Sequence, residues 1–150
     1  MKKIFAVVLV VLVLCSGAVS SQGDIPVYIN GEKLVFDVQP QMINDRVMVP
    51  MRFIFEKLGA TVHYEESTQT ITAMSKTKED KMIFIFIQID NTFAFVNNPE
   101  VSGTSQTYTL DSPPVLVDGR TLVPVRFVSE SFGCKVDWND KEQAVYITKN

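Results

Sequence analysis

Hydrophobic and polar positions change period several times along this chain, and each change marks an element. Two short apolar runs, residues 27–29 and 34–36, flank Asn30-Gly31. Both members of an Asn-Gly pair tolerate positive φ, so the pattern predicts a β-hairpin with a two-residue turn. After Pro40, a second tight turn is predicted at Asn44-Asp45, between residues 42–43 and 47–49. At Pro50 the period becomes helical: Met51, Ile54, Phe55 and Leu58 fall at i, i+3, i+4 and i+7, on one apolar face. Pro50 suits a first helical position, where a missing N–H costs nothing. Gly59 suits the left-handed position that commonly ends a helix. Strands are then predicted over 61–64 and 70–73, around a polar turn at Glu65-Glu66-Ser67. The charged stretch 75–81 reads as a solvated connection. Residues 82–89 are apolar on both faces and predict a central, fully covered strand, which would be an aggregation hazard if exposed. Asp90-Asn91 turns that strand into another at 92–96, residues 97–99 form a loop, and 108–110 is a short extended piece before Pro113-Pro114.

The strand–proline–helix–glycine pattern occurs twice. At an offset of 74, residues 44–71 align with 118–145, and nine of the 28 positions are identical. Average composition would give about two by chance, so the chain carries an internal duplication, over about 27–74 and 92–148. The identities include Pro50, Arg52, Phe53 and Gly59 with Pro124, Arg126, Phe127 and Gly133. Tyr64 faces Trp138 in the alignment, and Asp118-Gly119 takes the place of Asn44-Asp45 as the turn. Two copies are too few for a solenoid, which needs three or more. The expected architecture is α+β: antiparallel sheet with two short helices, in two similar strand–strand–helix–strand–strand halves of one domain. Arg52 and Glu56, four apart on the exposed flank of the first helix, are expected to form a weak structural ion pair.

The first twenty residues stand apart. A basic start, Met1-Lys2-Lys3, precedes an unbroken apolar run over 4–14 and the small residues Ser16-Gly17-Ala18-Val19-Ser20. That is the pattern of a secretory signal peptide cut after Ser20. Eleven apolar residues are too few for a spanning helix, which needs roughly 20. Leu14 in front of Cys15 departs from a lipobox, so cleavage is preferred to lipid anchoring. Without this segment, 12 basic residues face 17 acidic ones, a net charge of −5. Nucleic acid and anionic membrane reward clustered Lys and Arg, so neither is an expected partner. Cys134 is then the lone cysteine, which leaves no internal disulfide.

The motif turn–Arg–x–(Leu/Met)–Val–Pro–x–Arg–Phe, present at 44–53 and 118–127, resembles that of the copper amine oxidase N-terminal domain family, the stalk domain. The tail Val136-Asp137-Trp138-Asn139 followed by Val145-Tyr146-Ile147 fits it as well. The resemblance covers 25–148 and departs at Ser129, which stands where the other copy has Phe55, and at Cys134 in place of Ala60. It implies an antiparallel sheet against helices, found on exported proteins of Gram-positive bacteria, here as a stand-alone member. It also implies an accessory role rather than a catalytic one.

The chemistry in the residues agrees with that implication. An amine oxidase site uses three histidines around copper with a tyrosine-derived quinone, whereas His63 is the sole histidine here. Met42, Met48, Met51, Met74 and Met82 are scattered and read as core fillers rather than as ligands. No cofactor or metal site is expected. A nucleophilic hydrolase would need a base and an orienting group near its nucleophile, and Cys134, just past a helix end, reads as a small core residue. Carboxylates for a glycosidase-like pair could come from Glu65, Glu66, Asp137 and Asp140, all in polar turns, which is the least favoured reading. Tyr64, Tyr108, Trp138 and Tyr146 are the aromatics able to build a sugar platform, and Tyr64, Trp138 and Tyr146 are the candidate ligand-binding residues, with half-buried structural roles the preferred reading of the equivalent Tyr64 and Trp138. The expected function is an exported, non-catalytic surface or wall-associated stalk or scaffold, a spacer or interaction module. The alternative is an accessory domain that binds wall polymer or polysaccharide. Candidate partners are wall polymer, polysaccharide or another surface protein.

Overall fold

The computed structural model describes residues 23–149. In chain order the elements are β1 (Val27–Ile29), β2 (Glu32–Lys33), β3 (Gln41–Ile43), β4 (Arg46–Pro50), α1 (Met51–Lys57), β5 (Thr61–Glu65), β6 (Thr70–Lys76) and β7 (Met82–Gln88). They continue as β8 (Phe93–Asn97), β9 (Ser105–Thr109), β10 (Val115–Val117), β11 (Arg120–Pro124), α2 (Val125–Ser131), β12 (Lys135–Asn139) and β13 (Ala144–Thr148). The architecture is α+β, mostly antiparallel strands with two short helices. Three sheets form, ordered β12-β13-β1-β2, β10-β11-β4-β3 and β5-β6-β7-β8-β9. One pairing departs from the expected antiparallel pattern: β1 runs parallel to β13, with Val27 opposite Val145. The signal-peptide reading and Cys15 lie outside the described residues.

Local chemistry explains the joints. Three turns use two residues with positive φ: Asn30-Gly31 (49° and 84°), Asn44-Asp45 (51° and 58°) and Asp118-Gly119 (48° and 75°). Paired positive φ matches the right-handed twist of the strands, so each turn closes a hairpin in tight register. The first hairpin is shorter than its hydrophobic pattern suggests. Its second strand is Glu32–Lys33; the Leu34 amide still donates to the Val27 carbonyl at 2.8 Å, and Leu34 and Phe36 are buried in the core. Pro50 and Pro124 end their strands with extended ψ (107° and 121°), so each caps its helix rather than occupying the first helical position. Gly59 and Gly133 follow the helices with φ of 91° and 73°. Their amides donate to the Glu56 and Glu130 carbonyls at 3.0 and 2.8 Å. Only glycine occupies that conformation without a Cβ penalty.

At the centre of the second sheet, β4 and β11 pair antiparallel with Val49 opposite Val123. Those two positions are equivalent in the sequence alignment, and both are fully buried. Met51, Ile54, Phe55 and Leu58 of the first helical face are buried, as are Val125, Val128 and Phe132 of the second. The helices meet edge-to-face through Phe55 and Phe132, ring centroids 5.3 Å apart. The orders β3-β4-α1-β5-β6 and β10-β11-α2-β12-β13 match, but their outer hairpins join different sheets.

Two expectations fail in the five-stranded sheet. The charged stretch 75–81 is not a connection: β6 continues to Lys76 and pairs with β7 from Thr70↔Gln88 to Lys76↔Met82. What remains is a hairpin turn, in which the Thr77 hydroxyl accepts the Glu79 and Lys81 amides at 3.2 and 3.1 Å. Second, β7 is central but covered on one face alone. Ile83, Ile85 and Ile87 point into the core, while Met82 and Phe86 are 38% and 39% exposed. On β8, Ala94 and Val96 point inward, and Phe93 and Phe95 outward. The two-residue period of a strand separates branched aliphatics from aromatics, and an outward row of aromatics looks the same in sequence as a buried one.

Candidate functional site

The site begins at the tips of two hairpins. Arg46 and Arg120 are the first residues after the β3–β4 and β10–β11 turns. Arg46 donates to the Asp45 carbonyl through Nη1 (3.0 Å) and to Asp111 Oδ2 through Nε (2.8 Å). Arg120 repeats the arrangement, donating to the Gly119 carbonyl (3.3 Å) and to Asp37 Oδ2 (2.7 Å). The Arg120 guanidinium, with the Val38 amide, holds the Asp37 carboxyl below the usual carboxylate range. Asp37 and Asp111 differ by the same 74 positions as Arg46 and Arg120. Each hairpin tip is therefore clasped by an aspartate from far along the chain, 65 and 83 residues away. These pairs are solvent-exposed, so they position the tips more than they stabilise the fold.

Beside each clasp lies an open groove. The first, about 560 Å³, runs between Arg52, Phe53 and Glu56 of α1, the Tyr64 ring, and Leu116 and Arg120 of the opposite tip. The second, about 510 Å³, runs between Arg126, Phe127 and Glu130 of α2, Trp138, and Met42 and Arg46 of its opposite tip. Position by position, these linings align at the repeat offset. The inner wall of each groove is aromatic: Phe53 tilts against Phe36 at 4.9 Å, and Phe127 meets Tyr108 edge-on at 6.2 Å. Val35 and Leu116, 79% and 58% exposed, line the first groove. Arg126 has Glu130 3.8 Å from its Nε, whereas no ion pair holds Arg52 among the described residues. Arg52 and Arg120 balance Asp37 and Glu56 in the first groove. In the second, Asp45, Asp111, Glu130 and Asp137 outnumber Arg46 and Arg126.

The pattern of identity within the helices is informative. Arg52, Phe53 and Glu56 match Arg126, Phe127 and Glu130, and all six line the grooves. The buried helical positions differ, Met51 from Val125, Ile54 from Val128, Phe55 from Ser129 and Leu58 from Phe132, and of these Met51 and Val125 also line the grooves. Phe53 and Phe127 are half-buried against the core, which is a packing reason for their identity.

The aromatic residues expected to form one platform are distributed. Tyr64 lies in the first groove and Trp138 in the second. The Trp138 indole N–H donates to Asp140 Oδ1 at 2.7 Å, which fixes the ring. Tyr146 lies with Trp138 along a separate shallow depression. Its hydroxyl donates to the Glu142 carboxylate, and that bond, with burial, pushes its pKa up to about 12. Its ring stacks on Tyr28 at 4.8 Å. Of the carboxylates considered for acid–base work, Glu65, Asp137 and Asp140 have ordinary partners. Glu65 accepts from the Ser67 hydroxyl and amide, which lower its pKa, the opposite of what a general acid needs. Asp137 pairs with Lys135 at 2.9 Å. His63 is exposed on β5. Cys134 is buried, and burial raises its thiol pKa, so it is not an activated nucleophile. No group of three or more His, Cys, Asp or Glu able to hold a metal occurs among the described residues.

Sequence reasoning missed the clasps and the opposite-tip residues that complete each groove. A signal for them existed: Asp37 and Pro40 match Asp111 and Pro114 at the same offset, just upstream of the aligned window.

The profile of the copper amine oxidase N-terminal domain matches residues 28–147. No curated protein matches the chain. In copper amine oxidases this N-terminal stalk domain is non-catalytic. With the repeated Val-Pro-x-Arg-Phe core and a match over most of its length, this chain belongs to the copper amine oxidase N-terminal domain family.

Proposed function

We propose that the chain is an exported, non-catalytic interaction module of the cell surface or wall, a stalk whose two similar halves, about 27–74 and 92–148, arose by duplication. The observation that carries this reading is the pair of aligned grooves, each lined by an Arg, a Phe and a Glu of its helix and rimmed by an Arg–Asp clasp. The non-catalytic part is supported by the family and by the ordinary partners of the candidate carboxylates. The export part is supported by the basic start, apolar run and small residues of the first twenty positions. No helix of the described residues is long and apolar enough to cross a membrane.

Fractionation of the producing cells tests this reading. The expected result is a chain in the wall fraction or medium, with an N-terminus at Ser21. A full-length chain retained in the cytosol contradicts it.

A further inference from the structure

We infer that the two grooves are equivalent subsites for a neutral glycan, so that one molecule grips one polysaccharide chain at two points. This rests on the interaction-module reading and gives it a ligand class. Two observations lead to it.

The first is the chemistry of the walls. Each groove sets an aromatic face, Tyr64 or Trp138, beside an Arg–Asp clasp and an Arg/Glu pair. The apolar C–H face of a pyranose packs on such a ring, and its equatorial hydroxyls match closely spaced donors and acceptors. Trp138 is already oriented by Asp140.

The second is charge. One groove is balanced and the other has two more acidic than basic groups, within a chain that is acidic overall. A polyanion such as a phosphate-bearing wall polymer would be repelled rather than steered in.

Where a long ligand reaches both grooves, the second contact is intramolecular, which raises affinity without any new contact.

Calorimetric titration of the purified chain separates the outcomes. The probes are tetrasaccharides of N-acetylglucosamine and of β-glucose, with a tetragalacturonate as the anionic control. A neutral tetrasaccharide is expected to bind at two sites per chain, and tetragalacturonate at none. Tyr64→Ala and Trp138→Ala should each leave one site, and the double variant none. A soluble polymer of the same sugar should bind more tightly, and lose at least about tenfold in affinity on either single replacement. Because a half-buried aromatic can affect folding, Arg52→Ala and Arg126→Ala, at exposed positions, serve as the parallel pair. They should weaken one site each with an unchanged unfolding transition. Binding at one site, binding indifferent to these replacements, or preference for the anionic probe overturns the inference. If no tetrasaccharide binds while the chain still adheres to insoluble wall, the ligand class is wrong and the interaction-module reading stands. If neither occurs, both fail.

Discussion

Arg120 and Asp37 are 83 residues apart, and their contact is the smallest unit of the groove design. Because Asp37 is held below its usual pKa by Arg120, the folded value lies below the unfolded one. The contact therefore contributes stability that is fully present above the unfolded value, about pH 3.9, and is lost as pH falls through the folded value. In a carboxyl NMR titration Asp37 is expected to fall below about 3.9, and Arg120→Ala to raise it toward that value with the fold intact, the Val38 amide still holding it down in part. An unchanged titration in the variant would show that Arg120 does not set it. A second residue carries a different signature. Ser129 is fully buried, and its hydroxyl has no hydrogen-bond partner. Ser129→Ala should leave the denaturation midpoint unchanged or raise stability by about 1 kcal/mol, since it removes a desolvated group. A loss of that size would mean that the hydroxyl has a partner. At this scale the sequence was legible where a residue acts locally. Gly59, Gly133 and Asn30-Gly31 declare their φ values by type, and Cys134 past a helix end reads correctly as core. Asp37 and Asp111 did not, because a carboxylate in a loop carries no mark of a distant arginine.

Elements repeat that division between local and distant causes. Both helices, their apolar faces and their stops follow from three- and four-residue spacing between a proline and a glycine. The turns at Asn44-Asp45 and Asp118-Gly119 are equally local. Strand partnership is not: nothing near Val27 announces a parallel neighbour at Val145. The β6–β7 hairpin is hidden in sequence because β6 runs on through Ser75 to the charged Lys76, which resembles a linker. The outward face of β7 and β8 was misread because periodicity reports two faces without saying what covers either. Phe93→Thr tests that face directly. With Phe93 62% exposed, the replacement should change stability by no more than about 0.5 kcal/mol and reduce binding of a hydrophobic dye. A loss of about 3 kcal/mol, typical of a buried phenylalanine truncation, would mean the face is covered.

Across the whole molecule, positions 74 residues apart come together. The β4–β11 pair sets Val49 opposite Val123, and the hairpin tips at Arg46 and Arg120 are clasped by Asp111 and Asp37. The motif at 44–53 and 118–127 was legible as that of the family. The grooves were not, because each is completed by residues from a distant stretch, which no single window of sequence contains. Tyr64, Trp138 and Tyr146 carry the same aromatic signal in sequence, and the fold puts Tyr64 in one groove and Trp138 in the other. The most direct measurement is co-sedimentation of the purified chain with insoluble cell wall and with insoluble neutral polysaccharide, beside an Arg52→Ala/Arg126→Ala double variant whose unfolding transition matches the parent. The parent is expected in the pellet and the double variant in the supernatant. A parent that stays in solution, or a variant that sediments equally, contradicts a binding role for the grooves.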